Sequence, residues 1–149
     1  MKLMYNRINL QIILTTFLLF PLLSCNSTVT YSNRIEDRNA AEAKKAIFIN
    51  ELDSGNFSVV LSITSVLFYK DEDPNRIFKQ IKSYRESLGP LIETELYNWT
   101  TNVTVSKGDT LGKYILSYKS LYANDTIREN FTFIREDGEV KIFEYNVGL

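Results

Sequence analysis

Polar and apolar positions follow two regimes along this chain. From Glu36 to about Gly89 the apolar residues recur every three or four positions, and from Tyr97 onward they recur every second position. The first period belongs to amphipathic helices and the second to half-buried strands. A first helix is predicted from about Glu36 to Asp53, with Ala40, Ala43, Ile47, Phe48 and Leu52 as its apolar stripe and Ser54-Gly55 as its stop. Residues 57–69 are rich in β-branched side chains, but Val59, Val60, Ile63, Val66 and Leu67 keep a helical spacing, so a second helix is predicted there. The third helix is the clearest element. Asp73 can cap it, Pro74 suits its first turn, Ile77, Phe78, Ile81, Tyr84 and Leu88 line one face, and Gly89-Pro90 ends it.

The alternating half predicts four strands. Tyr97, Trp99, Thr101, Val103 and Val105 share one face, and Tyr114, Leu116, Tyr118, Ser120 and Tyr122 share the next. Ile127, Glu129, Phe131 and Phe133 form a third face, followed by Phe143, Tyr145 and Val147. Turn signals separate them: Ser106-Lys107-Gly108-Asp109, Ala123-Asn124-Asp125, and Glu136-Asp137-Gly138 with its Asp-Gly hairpin pair. Helices followed by an antiparallel meander predict an α+β domain over residues 36–149, with N-terminal helices packed on one face of a sheet of about four strands.

The segment before this domain has a different character. Lys2 and Arg7 are followed by a mostly apolar run from Ile8 to Phe20, interrupted by Asn9, Gln11, Thr15 and Thr16, and then by Pro21. The run is too short and too polar for a spanning helix, which needs about 20 predominantly apolar residues. Its layout is that of a cleavable signal. It ends at Leu22-Leu23-Ser24-Cys25, which resembles a bacterial lipobox, and Cys25 is the one cysteine in the chain. The resemblance implies cleavage between Ser24 and Cys25 and lipid on the Cys25 thiol. A residue 1–24 signal peptide, a residue 25–35 lipidated Cys and polar tether, and the domain then make up the chain. Residues 26–34, nine flexible residues within that tether, span roughly 17 Å, which would hold the domain close to the headgroups.

Composition narrows the chemistry. The first 24 residues carry two basic side chains and no acid, so the remainder holds 15 basic and 18 acidic residues. That balance argues against a nucleic-acid partner, which requires a basic face. The chain has no histidine, so a Cys/His zinc site and any Ser-His or Cys-His catalytic pair are excluded. With Cys25 lipidated, no disulfide is available, and the core alone must hold the fold. No cofactor motif, phosphate loop or metal-ligand spacing stands out, and neither a cofactor nor a metal is expected.

The element order, together with Arg85-Glu86-Ser87-Leu88-Gly89, Gly112-Lys113-Tyr114, Arg128-Glu129-Asn130-Phe131-Thr132-Phe133 and the closing Asp137-Gly138 to Tyr145, is similar to the cystatin-like, nuclear transport factor 2-like superfamily. The resemblance implies a curved sheet wrapped around a helix. Enzymes of that superfamily work through acidic or His residues in a cone-shaped pocket, and no comparable catalytic set is visible in this chain, so no catalytic residue is assigned.

Glu129 is the most conspicuous acid, because it shares a strand face with Ile127, Phe131 and Phe133, where a lone carboxylate would be costly. Arg85 lies on the edge of the third helix's apolar stripe, and the two are expected to form a buried ion pair; a pocket carboxylate is the functional alternative. Tyr114, Tyr118 and Tyr122 stand in a row that either builds the core or lines a binding groove, and the facing of Tyr118 decides between them. Asn-x-Ser/Thr triplets occur at Asn26, Asn56, Asn98, Asn102, Asn124 and Asn130. Asp109-Thr110-Leu111 and Asp125-Thr126-Ile127 resemble the O-glycosylation motif of Bacteroidota envelope proteins, which makes Thr110 and Thr126 candidate modification sites. No acidic cluster follows Cys25, which favours facing the periplasm, and Asn26 is not the Asp that favours inner-membrane retention in enterobacteria, so an outer-membrane lipoprotein is expected. The function expected is a non-enzymatic binding or accessory module, attached to the membrane through Cys25, with an unknown protein or small ligand as partner. The alternatives are a small hydrolase- or isomerase-type enzyme using Glu129, and an envelope assembly or secretion accessory.

Overall fold

The computed structural model describes residues 28–106 and 109–148. Ser24, Cys25, Asn26, Lys107 and Gly108, on which the cleavage, lipidation and one turn reading rest, lie outside the described residues. The elements run β1 (Thr28–Ser32), α1 (Ile35–Ser54), α2 (Phe57–Ile63), a 3-10 turn (Val66–Phe68), α3 (Pro74–Ser87), β2 (Leu91–Ser106), β3 (Asp109–Tyr122), β4 (Thr126–Glu136) and β5 (Glu139–Gly148). The strands form one open antiparallel sheet in the order β1-β2-β3-β4-β5, so the architecture is α+β with three helices on a meander.

The sheet has five strands rather than about four. Thr28–Ser32, part of the stretch read as a tether, pairs with β2 from Thr28 opposite Ser106 to Ser32 opposite Asn102. Every residue of β1 is exposed. Its hold on the sheet is a polar ladder that apolar periodicity does not register: Thr28 donates to Ser106, Thr30 meets Thr104, and Ser32 donates to Asn102.

α1 ends as its sequence predicts. Gly55 takes φ +80°, its N–H reaches the Leu52 carbonyl at 3.0 Å, and the Asn56 N–H reaches that of Glu51 at 2.8 Å. This paired closure requires a left-handed residue, which glycine adopts without a Cβ penalty. The expected stripe of α1 holds in part: Phe48 and Leu52 are buried and Ala40 packs against the core, but Asp37 and Ala41 join them inward while Ala43 and Ile47 are exposed. Asp37 can be buried because Arg34 clasps both its oxygens, Nε to Oδ2 at 2.7 Å and Nη2 to Oδ1 at 2.9 Å.

The single helix expected over 57–69 is split. Thr64 and Ser65 are extended, Thr64 bridges Ile142 in parallel, and the Ser65 N–H donates to the Ile142 carbonyl at 2.8 Å. The Thr64 hydroxyl draws on the last turn of α2, donating toward the Val60 carbonyl at 3.0 Å, and it also meets the Tyr69 hydroxyl. A β-branched residue whose side chain satisfies helix carbonyls is well suited to end a helix. α3 begins as expected, with Asp73 Oδ1 accepting from the Asn75 N–H at 3.1 Å and Pro74 in the first turn. Its inward residues are Phe78 and Arg85, with Ile77 and Ile81 half-buried; Tyr84 faces solvent.

Two bulges correct the strand faces. Between Leu96 and Asn98 the β2–β3 register shifts, so Leu96 and Trp99 pack on the core and Tyr97 is exposed. Between Thr132 and Phe133 the β4–β5 register shifts, so Val140, Ile142 and Tyr145 point inward, with Phe143 at the bulge. An extra residue in one strand flips the alternation beyond it, which strict period-two reading cannot anticipate. The core lies between the helices and one sheet face, centred on Phe48, Phe78, Tyr114, Leu116, Phe131 and Phe133. A smaller cluster of Leu88, Tyr122 and Ile127 closes the far end.

Candidate functional site

The polar centre of the molecule forms where the last turn of α3 meets the inward face of β3, β4 and β5. Helical spacing from Ile77 and Ile81 carries Arg85 onto the buried side of α3, at the helix end where a cation is favoured. Strand alternation carries Glu129 inward between Ile127 and Phe131, opposite Tyr118 on β3 and Val147 on β5. Arg85 is 5% exposed and Glu129 2% exposed. Their ion pair joins Nη1 to Oε1 at 2.9 Å.

The surrounding groups complete the pair. Tyr145 donates to Glu129 Oε1 at 2.6 Å, and Ser120 donates to Oε2. Ser120 is itself 3.0 Å from the Thr94 hydroxyl, so a chain of hydroxyls backs the second oxygen. Arg85 donates from Nη1 to the Tyr122 hydroxyl at 2.7 Å and from Nε to Asp53 Oδ1 at 3.0 Å, with Nη2 3.3 Å from Oδ2. Asp53 sits at the end of α1 with about half its side chain exposed. A buried ion pair offsets its desolvation only when further hydrogen bonds supplement it, and here each oxygen of Glu129 and each nitrogen of the Arg85 guanidinium has at least one partner.

The electrostatics follow from burial. Burial pushes the Tyr145 phenol well above the ordinary tyrosine range, and the negative charge of Glu129 adds to the shift, so Tyr145 stays protonated as a donor. Tyr122 is pushed up to about 12 by burial and by the charge of Glu129, against the opposing effect of Arg85. Burial works against the Arg85 charge, yet its bond to Asp53 and its other partners raise its pKa above the ordinary value. A carboxylate enclosed in this way ties α3, β3, β4 and β5 together.

Two clefts approach this centre and stop one residue short of Glu129. One, of about 370 Å³, is lined by Asp53, Lys82, Arg85, Leu91 and Tyr122, among others. The other, of about 320 Å³, runs between α3 and β5 and touches Tyr145. Glu129 lines neither.

The remaining sequence candidates are dispersed. Tyr118 is 5% exposed and packs edge-on against Phe131, with ring centroids 6.0 Å apart and an interplanar angle of 87°. With Tyr114 and Tyr122 it faces the core, so the tyrosine row is packing rather than an open groove. The ammonium of Lys45 lies 4.1 Å from the Tyr118 ring centroid, and burial lowers its pKa. Thr126 is exposed and Thr110 half-buried, each at the start of its strand. Sequence reasoning missed Asp53, Ser120 and Tyr145 as partners of the pair. A signal for Ser120 was present, since it interrupts an apolar strand face; Asp53 is a polar helix end like many others.

Compared with known proteins, the chain matches no family model and no curated protein. Among the described residues no His, Cys, Asp or Glu cluster has the makings of a metal site, and no helix is long and apolar enough to cross a membrane.

Proposed function

We propose that this chain is a lipoprotein of the bacterial envelope, held at the outer membrane through lipid on Cys25 and facing the periplasm, whose cystatin-like domain is a non-enzymatic binding module. The lipobox-like Leu22-Leu23-Ser24-Cys25 and the signal-like segment before it support the anchoring. A single acyl chain binds a membrane marginally, so several on Cys25 would be needed for firm attachment. The order of helices followed by meander supports the cystatin-like relation.

The observation that favours the non-enzymatic reading is the closed environment of Glu129. Both its oxygens accept hydrogen bonds, and it contacts neither neighbouring cleft. A general base needs hydrogen-bond reach to a substrate proton. The enzyme reading through Glu129 is therefore the weaker one. The assembly-accessory reading draws support from Leu61, Val66 and Leu67, which are 46%, 73% and 55% exposed around the junction of α2 and the 3-10 turn.

The test is fractionation combined with cross-linking in cells. The wild-type chain is expected in the outer-membrane fraction with a reproducible cross-linked partner. Cys25→Ser should move the chain out of the lipid-attached state. A wild-type chain found free of the membrane, with no partner captured, would overturn the proposal.

A further inference from the structure

The two open edges of the sheet have different surroundings. β1 is exposed at every residue. β5 is flanked by β4 on one side, and on the other its backbone is engaged at one point among the described residues, where Ser65 donates to the Ile142 carbonyl. Beyond Ile142 the edge opens onto the cleft of about 320 Å³, whose near wall is residues 143–146 and whose far wall includes Phe68, Ile77 and Ile81. Unpaired N–H and C=O groups of an edge are a template for another strand. A sheet edge facing an apolar helix wall is the setting in which an extended peptide adds to a sheet, with the main chain supplying affinity and alternate side chains supplying specificity.

We propose that the groove between β5 and α3 binds an extended segment of a partner protein as a sixth strand, with apolar side chains at alternate positions and a Lys or Arg between them. This names the partner class for the binding module and rests on that reading. Side chains directed like Tyr145 would meet Phe68, Ile77 and Ile81, all half-buried and apolar. The side chains between them would emerge on the opposite face beside Glu144. Glu144 is exposed, its one side-chain partner among the described residues is Thr132 at 3.5 Å, and no ion pair there includes it. Glu144 thus asks for a cation on the incoming strand. Lys70 and Glu72, the latter already paired with Arg76, belong to the loop before α3 on the other wall. The edge from Phe143 to Gly148 is about 20 Å long at strand rise, room for the central five residues of such a peptide.

The test uses the full chain in detergent and two fluorescein-labelled peptides, Thr-Val-Lys-Val-Lys-Val-Thr and Thr-Val-Glu-Val-Glu-Val-Thr, read by anisotropy. The wild type should bind the Lys peptide about two- to fivefold more tightly, the range for one cross-strand charge pair. Glu144→Lys, an exposed change, should reverse the order, and Ile77→Asp should weaken both peptides while thermal melts by circular dichroism verify that each variant is folded. Absence of binding by either peptide, or a preference that Glu144→Lys leaves unchanged, overturns the groove. If the peptides fail while cross-linking in cells still captures a partner, the groove is refuted and the binding-module reading survives. If both fail, both readings fall.

Discussion

Replacing Arg85 with methionine removes the charge and donors of the central cluster while keeping much of the side-chain length. Glu129 would then retain Tyr145 and Ser120 as donors but lose its counter-ion, inside a site 2% exposed. Removing one member of a buried ion pair costs about 3–5 kcal/mol, because the remaining charge is left uncompensated. The Asp53 contacts add little, since that carboxylate is about half exposed and solvent screens it. Against a domain stability of about 5–15 kcal/mol, this is a large fraction. At roughly 3–5 °C per kcal/mol for a domain of this size, Arg85→Met should lower Tm by about 10–20 °C. Urea denaturation followed by circular dichroism should show a lower midpoint with an unchanged slope. Adding Glu129→Met should recover part of the loss, because removing both charges leaves no orphan. An Arg85→Met protein within about 1 kcal/mol of the wild type would refute the structural role assigned to the pair. A stable variant that lost its cross-linked partner would instead place Arg85 in a ligand site.

Other changes test separate parts of the account. Tyr122, Tyr145 and Tyr118 all have phenols raised by burial. A raised folded-state value means stability is fully present below the unfolded tyrosine pKa of about 10 and is lost as pH rises beyond it. For Tyr122 that window runs from 10.0 to about 12. Unfolding free energy should therefore fall steeply across that range, and Tyr122→Phe should flatten the profile; a profile unchanged by the substitution would contradict the assignment. Gly55→Ala should cost about 1–2 kcal/mol in urea melts, the price of a left-handed Cβ. The site is otherwise open, with nothing within 4 Å of the added carbon, so a neutral result would show that the helix closure had rearranged.

Much of the fold was legible because its signals are local. Asp73-Pro74, Gly55 and Asp137-Gly138 each encode one conformation, and each adopts it. The inward face of β4 was readable because no bulge interrupts its pairing with β3. On β2 and β5 only Tyr97 and Phe143, the residues at the register shifts, were misplaced, since a bulge is a property of two strands together; Trp99, Thr101, Val103, Tyr145 and Val147 face the core as read. β1 escaped notice because threonine and serine hold it by side-chain hydrogen bonds rather than by burial. On α1 Phe48 and Leu52 are buried as read, but the rest of the stripe was misjudged, because Asp37 is inward by virtue of Arg34 while Ala43 and Ile47 are apolar yet exposed. In the candidate site, Arg85 and Glu129 could be paired from periodicity alone. Ser120 interrupts an apolar strand face and could have been flagged, but Asp53 and Tyr145 could not, because their roles depend on how α1 and β5 converge on the pair in space.

Metabolic labelling of growing cells with an alkyne fatty acid, followed by fluorophore coupling and isolation of this chain, tests the anchoring most directly. The account predicts label on the wild-type chain in the outer-membrane fraction and none on Cys25→Ser. Label retained by Cys25→Ser, or absent from the wild type, would contradict it.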